Sequence, residues 1–516
     1  MLPQKRFEKQ SFLTGAMILS VAGLISQLFG VFSKIFLLWL IGEEGVGIYN
    51  YPYPFFAIIL SFSSIGFNVA ISKLVSEFRA KKDEYHADKV FRLGMKLSLY
   101  LGMAGTLLLF LVSYPMASWV HRDNRALFSY IALAPTAFLT SFQAVYRGYF
   151  QGLQNMKPNA ISQLIEQGFR ILVMLSLAWL FKPFGLTYAA AGATLGAAAG
   201  AIGASLYLRH LFQLQTIPMA DSKPKRRYTT KAIYRKILQY AIPISFAGIG
   251  LPTFLLADSM IITNRLLAIG VSLSEATASY GIFSNNAMSL ITLPTIITGA
   301  LFVTLVPAIA EAKALQNGHK IQYLSQKALH WTLIFALPAA VGMWNVAPSL
   351  TSVLKMGTQT GLLLQTLTYG LPFIAIQQVT SGLLQGMGFS SKPVQHMMMG
   401  ALAKFVGNLI FITLWGIQGA AWSTVLGFFI AASLNTYHIL RYLNFVPKLI
   451  KDLLKPCLAT TIMALCLHFV HPLFLSNLSA PLVLGLQTFI GILVYALVML
   501  LSGGVQKSDL ALFRKP

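Results

Sequence analysis

The side chains in this sequence that could do chemistry inside a lipid bilayer are few, and most are cations. Lys34 lies late in the first apolar run, and Lys73 near the inner end of the second. Arg265 closes the seventh run, with Asp258 seven residues earlier, a spacing that puts both on one helical face about two turns apart. Glu166 and Arg170, in the fifth run, are four apart in the order that favours a self-contained pair. Lys404, in the eleventh, takes nearly the place of Arg170 but has no acid four residues before it. Charges at membrane depth are costly and face a cavity or a partner. Two or more cations converging on a cavity could hold a diphosphate, with arginine supplying bidentate contacts. The candidate substrate-binding cations are therefore Lys34, Lys73, Arg265 and Lys404, and the candidate coupling or pairing acids are Asp258 and Glu166. Plainer roles stay open beside these. Lys34 and Lys73 could snorkel to the interface, Asp258 could simply neutralise Arg265, and Glu166 with Arg170 could form a structural pair.

Other chemistries find little support. No Gly-x-x-x-x-Gly-Lys loop is present, so no built-in ATPase is expected. His468-x-x-His471 lacks a third ligand, and neither metal nor cofactor is expected. A membrane glycosyltransferase or ligase would need acids on outer loops. Glu43, Glu44, Asp123 and Glu275 are all that the chain offers. Cys457 and Cys466 fall nine residues apart in one helix and cannot pair.

The elements that must position these residues are membrane helices. The chain of 516 residues is 56% hydrophobic and only 10% charged, against roughly 25% charged in soluble proteins. Apolar runs long enough to cross a bilayer recur along the whole chain. The hydropathy pattern predicts an all-α polytopic protein with about 14 spans. Their cores are Leu13–Leu37, Tyr51–Leu74, Leu93–Val112, Leu127–Phe150, Ala160–Phe181, Tyr188–Leu208, Ile237–Ile262, Ser279–Ile309, Ala328–Val346, Leu362–Leu384, Val394–Leu414, Ile417–Tyr437, Leu454–Val470 and Leu482–Leu501. Pro243 and Pro252 are expected to kink the seventh span. The basic start, with no small-residue cleavage site after it, reads as a retained span rather than a signal peptide.

The 39 Lys+Arg against 15 Asp+Glu suggest a nucleic-acid binder, but their distribution excludes it. With the N-terminus inside, about 29 cations fall in inner loops and 4 (Arg122, Arg125, Lys182 and Lys355) in outer ones. That asymmetry places both termini in the cytoplasm.

The chain repeats itself at an offset of about 234. Gly47-Ile48-Tyr49 recurs as Gly281-Ile282-Phe283, Glu77 as Glu311, and Gly148-x-x-Gln151-Gly152 as Gly382-x-x-Gln385-Gly386. Lys157-Pro158 recurs as Lys392-Pro393 with one residue inserted. Six spans per copy is an even number, so the copies share one orientation, as in parallel-repeat transporters. The expected organisation is a first lobe over residues 1–212 (spans 1–6), a basic cytoplasmic linker over 213–236, a second lobe over 237–440 (spans 7–12), and two further spans in 441–516. Contact of the linker with anionic headgroups is an open reading beside its role as topology anchor. Gly192, Gly196 and Gly200 mark a helix-packing face in span six.

The stretches Gly42 to Tyr49, Asn68 to Glu77 and Arg147 to Pro158 resemble the polysaccharide-transporter branch of the multidrug/oligosaccharidyl-lipid/polysaccharide exporter superfamily. Stage V sporulation protein B-like proteins and lipid II flippases are members that it resembles. The resemblance spans essentially the whole chain and implies two six-helix lobes around a central cavity, plus two C-terminal helices. In lipid II flippases that cavity is cationic, and the extra helices form a groove for the lipid tail. The function implied is a flippase in the cell membrane carrying a polyprenyl-diphosphate-linked glycan, such as a peptidoglycan precursor, outward by alternating access. Partners implied are the lipid-linked precursor, membrane lipids and a sodium or proton coupling ion, with no nucleic acid. A monomer is expected. The alternatives are a cation-coupled multidrug exporter of the same fold, which should carry carboxylates in its membrane core, and the glycosyltransferase or ligase above.

Overall fold

The computed structural model describes residues 12–214, 228–443, 449–470 and 478–503, and among these there is helix and turn but no strand. An apolar chain in lipid must satisfy every backbone group internally, and helices do so. In order they are α1 (Phe12–Asn50), α2 (Tyr53–Leu60), α3 (Gly66–Ala80), α4 (Glu84–Pro115), α5 (Ala126–Gly152), α6 (Lys157–Phe181), α7 (Leu186–Leu214), α8 (Thr230–Gly248), α9 (Gly250–Ala268) and α10 (Leu273–Gly281). There follow α11 (Met288–Ile291), α12 (Thr295–Ala314), α13 (Gly318–Val353), α14 (Gly357–Thr368), α15 (Leu371–Gly386), α16 (Ser391–Trp415), α17 (Ile417–Leu443), α18 (Leu449–Val470) and α19 (Ala480–Leu501). One wide π-turn joins α2 to α3, another extends α4 through Met116–Val120, and a third spans Ile282–Ala287.

Among the described residues, ten helices are long and apolar enough to cross a membrane, or up to twelve if two bent pairs each count once. This is a multi-pass membrane protein, but the count of fourteen is not reached. The first bent pair is α8 and α9, which meet at 44° at Ile249, between the two prolines of span seven. The second is α14 and α15, at 52°, where Pro372 opens α15. Of the two expected spans that fall short, Ser279–Ile309 is broken across α10, the third π-turn, α11 and α12. The other, Leu454–Val470, is apolar but short.

The repeat reappears as repeated local geometry. A Cβ on Gly148 would sit 2.5 Å from the Asn68 carbonyl, and one on Gly152 2.8 Å from the Ser72 carbonyl and from Val75 Cβ. In the second copy, a Cβ on Gly382 would meet Phe302, and one on Gly386 the Val306 carbonyl and Ile309 Cβ at 2.9 and 2.8 Å. Each contact is displaced by 234. Only glycine allows either pair of helices this close. The turns that follow match too. Lys82 and Gln316 both have positive φ (56° and 51°), and Asp83 and Asn317 both cap the next helix, accepting from the backbone N–H of His86 and Lys320.

By packing, the chain forms two compact units, residues 1–281 and 282–516. Helices α8 to α10, which the repeat assigns to the second copy, pack within the first unit. Its inner core joins Leu74, Phe78, Phe91, Tyr149 and Phe150 to Ile233 and Ile237 of α8. Part of the linker, residues 215–227, lies outside the described residues. Its far end is pinned. Tyr228 N–H donates to His86 Nε2 (3.3 Å), Lys89 donates to the Tyr228 carbonyl (3.2 Å), and His86 Nδ1 bonds Asp83 (2.8 Å). The second unit has its own cores, one around Ile309, Leu383, Leu384 and Ile439, the other where Trp331 and Ile334 of α13 meet Ala459 and Met499.

Candidate functional site

A cluster of cations forms in the first unit because α6 is drawn close to both α1 and α7. The glycine face of α7 meets α6 as expected, with Cβ positions on Gly196 and Gly200 only 2.6 and 2.5 Å from the Arg170 and Glu166 carbonyls. On its other side, α6 presents Gln163 and Gln167 to Gly23 and Gly30 of α1. Lys34 is one turn beyond Gly30 on the same face. It follows that α1 and α6 bring Lys34 and Arg170 close enough for the two positive charges to act on each other.

Arg170 is held by aromatic hydroxyls. It hydrogen-bonds Tyr53, whose ring centroid lies 5.7 Å from the guanidinium carbon, and the Tyr53 hydroxyl donates to that of Tyr49 at 2.8 Å. Its expected pairing with Glu166 gives way to a stronger one. Glu166 accepts from Arg147 Nη2 and from Gln143 Nε2, both at 2.8 Å, while Arg147 Nε donates to Ser162 at 3.0 Å. A guanidinium reaching across from α5 makes the better-aligned contact than one stacked a turn above on the same helix. Among the described residues the cluster thus sets Lys34, Arg147 and Arg170 beside the carboxylate of Glu166, and these four groups carry a net positive charge. Lys34, Arg147, Glu166 and Arg170 are all half-buried.

The other expected site residues lie elsewhere. Lys73 is exposed on α3 with its ammonium 3.8 Å from the centre of the Tyr240 ring. Glu77, one turn on, bonds Lys81 at 2.7 Å. Asp258 is 3% exposed on α9. Arg265 is half-buried in the last turn of α9, and no ion pair between it and Asp258 is found among the described residues. Lys404, in the second unit, is fully buried, 6.0 Å from the centre of the Phe283 ring. Glu44 pairs with Arg125, Asp123 binds Arg125 at 2.8 Å, and Glu275 bonds Ser272 at 3.0 Å, so three of the four outer-loop acids are structurally engaged. Among the described residues no cluster suits a metal ion, and His471 lies outside them.

The second unit contains an apolar cavity of about 520 Å³ between α13, the α14–α15 bend and α18. Leu337, Val341, Trp344 and Leu465 form its walls, and Asn345 and His468 are among its few polar groups.

Residues 12–313 match the family described as "Polysaccharide biosynthesis protein", more than half of the chain. The chain belongs to the polysaccharide biosynthesis protein family. It is similar to stage V sporulation protein B of Bacillus subtilis (strain 168), with 30% identity over 83% of each chain. It is also similar to the lipid II flippase MurJ of the same organism, with 26% identity over 89% of this chain and 88% of that one. A solved lipid II flippase MurJ in an inward closed conformation has the same fold, with a TM-score of 0.70, 18% identity and coverage of 93% of this chain and 98% of that one.

Within this family member, sequence reasoning overlooked Arg147, Tyr53 and Tyr49. Arg147 lies close to the end of the fourth apolar run and is one of the cations assigned to inner loops, yet it lies inside α5 and turns toward Glu166. The available signal was the repeat: Gly148 and Gly382 match, but Arg147 stands where the second copy has Ser381. A charge present in one copy alone is not needed for the packing the two copies share.

Proposed function

We propose that this protein is a flippase that carries a polyprenyl-diphosphate-linked glycan, such as the peptidoglycan precursor lipid II, from the inner to the outer leaflet by alternating access. The observation that carries the reading is the net-positive cluster of Lys34, Arg147 and Arg170 at membrane depth, with Arg170 fixed by Tyr53. A diphosphate is the anionic part of such a substrate, and a guanidinium in a partly desolvated site binds it strongly. Lys73 and Arg265 are further cations that could meet it along the path, whereas Lys404 is buried away from it. The apolar cavity beside α18 suits an isoprenoid chain, which gains about 25 cal/mol per Å² buried. The charge asymmetry of the loops supports a cell-membrane orientation with both termini in the cytoplasm.

A second reading rests on Asp258. A buried carboxylate on a membrane helix is what a cation-coupled drug exporter would use for sodium or proton exchange. One assay separates the two. Purified protein in phospholipid vesicles is given fluorescent lipid II and, separately, a lipophilic cationic dye. Movement of lipid II that falls at least tenfold in Arg170→Gln supports the flippase. Movement of the dye alone overturns it, and formation of a glycosylated product from the lipid-linked donor would make the protein an enzyme.

A further inference from the structure

The junction formed by residues 116–130 with α9 and α10 contains a buried polar cluster that the cation site does not use. His121 is fully buried. Its Nδ1 lies 2.8 Å from the Ser259 carbonyl of α9 and its Nε2 2.8 Å from the Tyr130 hydroxyl of α5. A carbonyl can only accept, so Nδ1 carries the hydrogen, and in the neutral ring Nε2 accepts from Tyr130. Burial favours the neutral imidazole, with both nitrogens engaged. Tyr51, at the α1–α2 turn, stacks on His121 at 4.3 Å and on Tyr280 of α10 at 4.7 Å, between ring centroids. Its hydroxyl bonds Thr263 of α9 (2.7 Å) and Thr277 of α10 (3.3 Å). Thr277 donates to Asp123 at 3.0 Å, and Arg125 ties Asp123 to Glu44. Asn264 of α9 donates to the Val120 carbonyl. Segments that the repeat divides between two copies are thus joined here through side chains that are almost wholly buried.

We propose that His121 is a proton-binding site whose filling opens this junction, so that a proton from outside biases the transporter toward its outward-open state. This rests on the alternating-access reading and on the orientation that places residues 121–125 outside.

An imidazolium has two donors and no acceptor. Its Nε2–H would confront the Tyr130 hydroxyl, which must then turn its own hydrogen to the Tyr51 carbonyl at the longer distance of 3.3 Å. The groups that face His121 offer little compensation. Tyr51 and Tyr130 are neutral, α9 presents a carbonyl, and Arg122 alongside is a cation turned to the surface. Asp123 is the acid that acts on the ring, but Arg125 and Thr277 already engage it. Burial therefore holds the imidazole down, from its ordinary 6.5 to about 4. Opening the junction to water returns it to the ordinary range. The closed form is then fully favoured above about pH 6.5 and loses ground as the pH falls toward 4. Between pH 7.5 and 5.5 the balance moves toward the open form by about tenfold.

Hydrogen–deuterium exchange on the full-length protein in phospholipid vesicles tests this without any substrate. After correction for intrinsic rates, exchange in peptides covering 116–130 and 256–280 should rise about tenfold from pH 7.5 to 5.5. His121→Gln keeps a donor and an acceptor but cannot charge, and should abolish the rise. Tyr130→Phe removes the donor to Nε2 and should move the opening to higher pH. A flat wild-type profile, a rise that persists in His121→Gln, or an unmoved midpoint in Tyr130→Phe overturns the proposal. Lipid II transport measured in the same vesicles reports separately on the flippase reading, so either idea can fail alone.

Discussion

The polar centres of the two units occupy matching positions and solve the same problem differently. In the first, Gln143, Arg147 and Glu166 form a charged network between α5 and α6. In the second, Gln377 and Ser381 stand at the same offset, and the centre is Asn435 of α17. Asn435 donates to Thr380 and Ser381 at 3.1 Å each and accepts His396 Nδ1 at 2.8 Å, with no charge required. The glycines explain how this was possible. The α6–α7 contact is made by glycines of α7, which leaves α6 free to keep Glu166 and Arg170. The α16–α17 contact is made by glycines of both helices, Gly400 and Gly407 of α16 and Gly419 of α17. Gly400, next to Ala401, which matches Glu166 once the inserted residue is counted, lies where a Cβ would be 2.5 Å from the Gly427 carbonyl. No long side chain fits there. The first copy holds a charged network here where the second uses neutral amides and hydroxyls, and charges kept at membrane depth at such cost are the mark of a site under functional demand.

The sharpest way to break this comparison is to remove the corresponding cations. Arg170→Gln should lower lipid II transport by about 30- to 100-fold, the loss of roughly 2–3 kcal/mol of charge-assisted contact. Lys404→Gln should lower it far less, because Lys404 is sealed inside its unit. Equal losses would mean that both copies touch the substrate. A smaller effect concerns the networks themselves. Arg147→Gln strands the Glu166 carboxylate and should lower thermal stability by about 1–3 kcal/mol, the pair being about a fifth exposed. Adding Glu166→Gln should recover much of that loss. Asn435→Leu should cost about 1–3 kcal/mol with no rescue from either charge change, since it leaves neutral partners unpaired. A double-mutant cycle on Arg147 and Glu166 that shows no coupling would remove the charged network from the account.

Much of this fold was legible because its causes are local. Apolar length predicts spans, Pro243 and Pro252 predict a kink in the seventh span, and the recurrence of Gly148 and Gly152 as Gly382 and Gly386 predicts the repeat, though not the close helix contacts these glycines make. What stayed hidden depends on neighbours distant in sequence. Glu166 and Arg170 look like partners on one helix, and nothing in their spacing shows that Arg147 competes from α5. His121 sits in a short polar loop that reads as solvent-facing, and its burial is visible only once α9 lies against it. The eighth span reads as continuous in hydropathy, yet breaks at a π-turn that no composition signal marks.

The mildest test compares the two matching caps. Asp83 and Asn317 each accept the N–H of the third residue on, so replacing either by alanine should cost about 1 kcal/mol through the cap alone. Asp83 also bonds His86 Nδ1, and His86 in turn receives the Tyr228 N–H where the linker returns to the membrane. Asp83→Ala should therefore be the more damaging of the two in thermal unfolding. It should also raise hydrogen exchange at residues 228–233, where Asn317→Ala leaves it unchanged. Equal losses and unchanged exchange would mean that the linker is held by Lys89 and the α8 packing, and that His86 is a passenger. A difference would show that the first copy converted a turn common to both into the anchor for the segment that joins them.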